Sequence, residues 1–358
     1  MKLGLLFFLL PLLLVFILSS CSNPKESELL SISVPNRFEK DVSVSDLSDS
    51  VKLIELETRP NAMITSINDV VYDGKNLIVT NSDGRILIFG PEGNFKQKLG
   101  KNGDGPGEHK YVSSIAIDDQ SKNILIVTRG KVLVYSSSYE FLDEIKLNFN
   151  LDYFQVLDNK YFGISNEYGR VVENGYVNET KLYKLGPKME VEDTIGLRTA
   201  FVETKIATVL GYKDYISSVE DKRYIYTPVT TNENRLRDTL YQLIGNDLIP
   251  FAKLDFEKPH INERGIKKYW IANMVNTRSY ISSLYYNEKN EIRMYLHNKV
   301  TGKSYNFKEG ILDHKGDPVL LRPMDPENDI FYYIKKDQFS DLKTEEKNPT
   351  IGIVRLKR

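Results

Sequence analysis

"INDVVYDGKNLIVTNSDGRILIFGPEGNFKQKL", Ile67 to Leu99, is followed by "SSIAIDDQSKNILIVTRGKVLVYSSSYEFLDEIKL", Ser113 to Leu147, which repeats its pattern. Leu77-Ile78-Val79-Thr80 matches Leu125-Ile126-Val127-Thr128 at an offset of 48, and Ile86-Leu87-Ile88-Phe89 matches Val132-Leu133-Val134-Tyr135 at 46. Each unit holds four short β-rich runs. In the first, Asp73-Gly74, Asp83-Gly84 and Glu92-Gly93 punctuate them, and such pairs turn a chain tightly because glycine accepts positive φ. Four strands repeating every ~40–50 residues is the signature of a propeller blade.

Later units repeat less faithfully: Tyr153 through "DNKYFGIS" to "TKLYKLGPKMEVEDTIGL", Tyr215 through "KRYIYTPV" to "DTLYQLIGNDLIPFAKLDF", and "SYISSLYYNEKNEIRMYLHNKVTGKSYNF". Residues 51–358 divide into six units of about 51 residues, whereas seven units of about 44 would fall below the spacing of the compact pair. A lone four-stranded sheet has two bare faces and open edges, and a ring of sheets buries the faces. "VKLIELET", Val51 to Thr58, and "TIGIVRLK", Thr350 to Lys357, both alternate apolar and polar residues. The fold class is therefore all-β, a six-bladed β-propeller whose N- and C-terminal strands close the same blade. One helix is expected over Ile261–Val275, where Ile266, Trp270, Ile271 and Met274 fall on one stripe.

Composition excludes several function classes. The chain is 41% hydrophobic and 27% charged with a formal net charge of −1, which offers no polyanion-binding surface, so no nucleic-acid partner is expected. The 22 tyrosines and 16 phenylalanines against one tryptophan favour strands. The single cysteine precludes an internal disulfide. It is Cys21, placed after a basic Lys2, an apolar run from Leu3 to Leu18, and Ser19-Ser20. Sixteen apolar residues broken by Pro11 are too few for a membrane span of ~20 and fit an export signal. Leu18-Ser19-Ser20-Cys21 is similar to a bacterial lipobox, which implies a signal peptide over 1–20 and lipidation of Cys21. Residues 21–50, rich in serine and acidic residues, read as a tether, with the propeller over 51–358.

"GKNGDGPGEHK", Gly100 to Lys110, joins the first two units. It lacks the Gly-Lys-Ser/Thr ending of a phosphate loop, and Pro106 has no N–H to offer an anion. Asn102, Asp104 and Glu108 lack calcium-loop spacing. The stretch reads as a glycine-proline corner. Strand alternation puts inter-blade loops and second-to-third-strand loops at one end of the ring. That end gathers Asn102, Asp104, His109, Arg85, Arg129 and Arg170 as candidate ligand contacts, with Arg235 and Arg237 beyond them. Scattered solvated arginines remain the simpler account of the same residues.

The body resembles the six-bladed, NHL-like β-propeller lipoproteins of Bacteroidota, through "VKLIELETRPNAMITSINDVVYDGKNLIVTNSDGRILIFGPEGNF", "GKNGDGPGEHKYVSSIAID", "DTLYQL" and "NPTIGIVRLK". His109 stands where that pattern has a tyrosine. The resemblance implies a fold and leaves activity open.

His109, His260, His297 and His314 lie in four segments without metal-ligand spacing, and no nucleophile elbow occurs. No catalytic residue can therefore be assigned, and no metal or cofactor is expected. The preferred reading is a binding or protein-interaction module, lipid-anchored in the cell envelope and delivered to the outer membrane. It would take a glycan or peptide ligand, or an envelope protein partner, through its loop-rich face. The alternative is a metal-dependent hydrolase or lyase with a channel-centred site acting on a sugar or lactone.

Overall fold

The computed structural model describes residues 29–205, 214–228, 236–263, 267–335 and 347–358. Blade 1 contains Ile67–Tyr72, Leu77–Asn81, Ile86–Phe89 and Phe95–Leu99, paired antiparallel in chain order. Its two middle strands are wholly buried, which is why they read as unbroken aliphatic runs. The outer strand, Phe95–Leu99, carries three exposed polar residues between its ends. Blade 2 repeats the arrangement from Ser114–Ile117 to Phe141–Lys146. Blade 3 runs from Tyr153–Leu157 to Val191–Val202, blade 4 from Ile216–Val219 to Asp247–Phe256, and blade 5 from Tyr269–Asn276 to Ser304–Phe307.

Blade 6 closes the ring as expected. Arg322–Asp325, Ile330–Lys335 and Thr350–Leu356 supply its first three strands, and Ser48–Glu55 adds the outermost one, with Leu53 opposite Gly352. The first strand of each blade is innermost. Such strands touch across blade boundaries, including Arg322–Asp325 against Ile67–Tyr72, where blade 6 meets blade 1. Apolar clusters bridge each adjacent pair of blades. Ile78, Ile86 and Ile88 pack on Ile115, Ile124 and Ile126 between blades 1 and 2. Tyr332 and Ile351 of blade 6 pack on Leu77, Val79 and Leu87. Each sheet hides its neighbour's faces, so burial, the dominant favourable term in folding, is itself distributed as a ring.

Two expectations need correction. The 21–50 tether, with a body starting at 51, ends too late. Leu30–Val34 is a strand that pairs parallel to the outer edge of blade 4, Leu30 opposite Ala252 and Val34 opposite Phe256. Ile32 and Val34 are buried there. The chain then passes Asn306 through the Glu39 N–H, makes one helical turn at Val44–Leu47, and enters blade 6. This strap covers the open edge of blade 4, and its alternation in "LSISV" was hidden by the serine-rich composition around it. The helix at Ile261–Val275 is also overturned: Tyr269–Asn276 is the inner strand of blade 5, with Ile271 to Asn276 all buried. An apolar stripe at helical spacing also arises where a strand is covered on both faces.

Candidate functional site

We call the end of the ring that carries the inter-blade loops the upper end. The Gly100–Lys110 corner sits there, folded on itself. His109 N–H donates to Lys101 C=O at 2.9 Å, and Gly105 N–H donates to a Glu108 carboxylate oxygen at 3.1 Å. A Cβ on Gly84, at φ +85°, would meet the Lys110 carbonyl at 2.5 Å, so the backbone closes there only with glycine, whereas one on Gly103 would displace the Glu108 carboxylate. Glu144 and Lys131 of blade 2 fasten it from below, through Gly107 N–H and Gly105 C=O.

The six candidate residues are split by the structure. Arg85, Asn102 and His109 line one cavity of about 250 Å³ at the rim between Gly84 and Lys101. His109 is buried, and its Nε2 lies 3.1 Å from the Gly84 carbonyl, which it reaches as donor. Burial, with the Lys131 charge nearby, holds its pKa below the ordinary histidine value. Arg85 donates to Asp83 and to the Met63 carbonyl, so its guanidinium is committed to the turn. Asp104 pairs with Lys110. Arg129 is exposed on the next hairpin, and Arg170 pairs with Glu179 at 2.8 Å on a long hairpin of blade 3. Arg235 lies outside the described residues. These groups do not converge on the channel.

A different set does. Asp69 follows a bulge in the inner strand of blade 1, and its Oδ1 accepts the Tyr332 hydroxyl at 3.0 Å. Arg322, the first residue of the inner strand of blade 6, places Nη2 3.9 Å from the same oxygen and its guanidinium carbon 5.2 Å from the Tyr332 ring centre. Asp214, just ahead of the inner strand of blade 4, accepts from Asn273 Nδ2 at 3.1 Å. Asn273 is fixed by a bulge in the inner strand of blade 5 and by Leu284 N–H, which donates to its Oδ1 at 2.9 Å. Tyr153 and Tyr215 stand beside them with ring centres 5.4 Å apart, and Asp152 accepts from Asn166 N–H at 2.7 Å. Four inner strands and one inter-blade loop thus gather two carboxylates, a guanidinium, an amide and phenols near the upper end of the ring's centre, with Asn273, Arg322 and Tyr332 buried among them.

The electrostatics of this cluster are uneven. Asp214 lies deep in the ring and is only partly exposed, and burial pushes its pKa up to about 6. The Asp69 charge adds to the rise, while Arg322 and the Asn273 hydrogen bond oppose it. Burial also raises Tyr153 and Tyr332 well above the ordinary tyrosine value, so both remain hydroxyl donors at neutral pH. Among the described residues no group of three or more His, Cys, Asp and Glu side chains is placed to hold a metal ion. Between the two aspartates the positive charge comes from Arg322.

No sequence spacing marked this cluster, because its members are separated by whole blades and meet only when the ring closes. The one available signal was polar residues inside apolar inner strands: Asp69 in "INDVVY" and Asn273 in "YWIANMVN".

The family described as a domain of unknown function, DUF4934, matches residues 29–357, and the chain belongs to it. No curated protein matches the chain. Among solved structures, a protein of Bacteroides fragilis described as exported superposes with a TM-score of 0.66 at 18% identity, covering 92% of this chain and all of that one. A DUF4221 family member from Bacteroides vulgatus gives 0.51 at 9% identity over 87% of this chain and 97% of its own. Both likenesses concern the fold.

Proposed function

We propose that this DUF4934 protein is an extracytoplasmic binding module, lipid-anchored through Cys21, whose upper channel mouth takes a neutral, hydroxyl-rich ligand such as the end of a glycan. The observation that carries the reading is the convergence of Asp69, Asp214, Asn273 and Arg322 with protonated tyrosines. Carboxylates accept from sugar hydroxyls, while guanidinium, amide and phenol groups donate to them. Two aspartates against one arginine disfavour an anionic ligand such as an acidic glycan. The exported description of the B. fragilis structure agrees with the export signal in residues 1–20. Cys21 itself lies outside the described residues.

Calorimetric titration with neutral and acidic oligosaccharides and short peptides tests the reading. Neutral oligosaccharides bind, and Asp69→Asn and Arg322→Ala each weaken binding about tenfold or more, since each strands a partner made for a hydroxyl. Binding that ignores both substitutions, or that falls instead with Arg129→Ala or Arg170→Ala, overturns it.

A further inference from the structure

We infer that the seam between blades 4 and 5 holds a second binding cleft, where the strap crosses it, and that this cleft takes a single neutral sugar ring. It shares a ligand class with the channel mouth but stands on a separate cavity, so either site can fail alone. The strap builds it. Val34 lies opposite Phe256 at the upper end of blade 4, and Glu39 N–H reaches the Asn306 carbonyl on the outer strand of blade 5, so residues 35–38 bridge the seam. A cavity of about 250 Å³ lies against them. Its frame is fixed by buried groups. Asn306, 2% exposed, donates from Nδ2 to the Pro35 carbonyl at 2.7 Å and accepts the Tyr285 hydroxyl at 2.8 Å. Asn36 N–H donates to Glu257 Oε2 at 2.9 Å. Arg293, also buried, sets its guanidinium carbon 5.5 Å from the Phe38 ring centre and donates to the Lys308 carbonyl at 2.7 Å. Phe256 and Tyr269 stack with ring centres 4.6 Å apart, and Tyr285 meets both edge-on. The aromatic walls are thus held in place by the fold, which lowers the ordering cost of binding.

The polar groups on the cleft select the ligand. Among the described residues, no hydrogen bond or ion pair engages the Lys258 and Lys268 ammonium groups, the Tyr269 hydroxyl, the Asn36 side-chain amide or the Glu288 carboxylate. Burial, with the Glu288 charge nearby, holds the Tyr269 pKa above the ordinary tyrosine value, so its hydroxyl stays a donor. An apolar peptide side chain would fill the volume but displace water from these groups without replacing its hydrogen bonds. A pyranose ring answers both kinds of wall. Its C–H faces lie on aromatic rings, and its hydroxyls donate to a carboxylate and accept from ammonium, amide and phenol groups. Lys258 and Lys268 balance Glu257 and Glu288, and Arg293 is matched by Glu291 at 2.5 Å, so the cleft carries no net charge to draw an anion. Its volume falls below the ~300–1,000 Å³ of sites for drug-sized ligands, which limits it to one ring.

Saturation-transfer NMR with a panel of methyl hexopyranosides tests the cleft, on the natural chain and on Asp69→Asn protein, whose channel-mouth binding is already weakened. At least one glycoside is expected to bind both proteins, with saturation strongest at its ring C–H protons. Phe38→Ala should weaken that binding about fivefold or more in either background, because it removes an aromatic wall. Tyr269→Phe keeps the stacked ring and removes only the hydroxyl, so it should weaken binding about threefold while the unfolding midpoint stays where it was. High salt should leave the affinity in place, since the ligand is neutral. Three results overturn the inference: no glycoside binds, binding ignores both rim substitutions, or N-acetylphenylalanine amide occupies the cleft and the glycosides do not. Rim substitutions that remove all glycoside binding, in a protein that Asp69→Asn does not affect, would overturn the channel-mouth reading and leave this one standing.

Discussion

Two enclosed aspartates show what separates scaffold from site in this ring. Asp313 opens the 313–317 turn before blade 6, and its carboxylate is fully covered. It accepts from Lys315 N–H at 2.8 Å and Asp317 N–H at 2.9 Å and pairs with the Lys335 ammonium. Burial alone would raise its pKa, but Lys335 and the two backbone donors outweigh burial and hold it below the ordinary range. Asp214, at the channel mouth, has one amide bond and a second aspartate nearby, and its pKa goes up. The fold supplies nearly everything that the charge on Asp313 needs. It leaves the charge on Asp214 undercompensated, and a group that the chain does not satisfy is where a ligand gains most.

Substitutions can break this contrast. The largest effect falls on Asp313→Ala, which leaves the Lys335 ammonium half-matched. Urea unfolding at pH 7 should show a loss of about 3 kcal/mol, in the range for removing one partner of a buried pair. Loss below about 1 kcal/mol would mean that Asp317, 2.8 Å from Lys335, carries the pair by itself. Asp69→Asn should cost affinity rather than stability: about tenfold in glycan binding, or ~1.4 kcal/mol, with the unfolding midpoint nearly unchanged. The smallest effects belong to Arg129→Ala and Arg170→Ala, whose exposed charges should leave both midpoint and affinity unmoved in thermal scans and titrations.

The sequence disclosed the ring because blades 1 and 2 are tight. Their buried middle strands and glycine turns repeat within two residues of register, and the alternating termini signalled closure. It also placed the Gly100–Lys110 corner correctly at the upper end as a turn. It concealed the strap, since Ile32 and Val34 are two apolar residues in a polar stretch and their partner strand lies more than two hundred residues away. It concealed the inner strand of blade 5, because burial on both faces removes the alternation that would identify a strand. The channel cluster was hidden most fully. Asp69, Asp214, Asn273 and Arg322 are ordinary in their local contexts and become a set only through the geometry of closure. Loop arginines drew attention as the visible charges, and the structure shows Arg85 and Arg170 bonded to Asp83 and Glu179.

The central claim, that the channel mouth holds a carboxyl which the fold does not compensate, is tested most directly by comparing Asp214→Asn with the natural chain across pH. With a folded-state pKa of about 6 against an ordinary 3.8, the folded chain alone keeps the Asp214 proton between those values. Stability therefore falls as pH rises through that window, and the cost is complete above about 6. The asparagine variant should be more stable by about 3 kcal/mol at pH 7.5, and the two unfolding free energies should converge below about pH 4. A variant that is less stable than the natural chain at pH 7.5 would show that the Asp214 charge serves the fold, as that of Asp313 does, and would contradict the account.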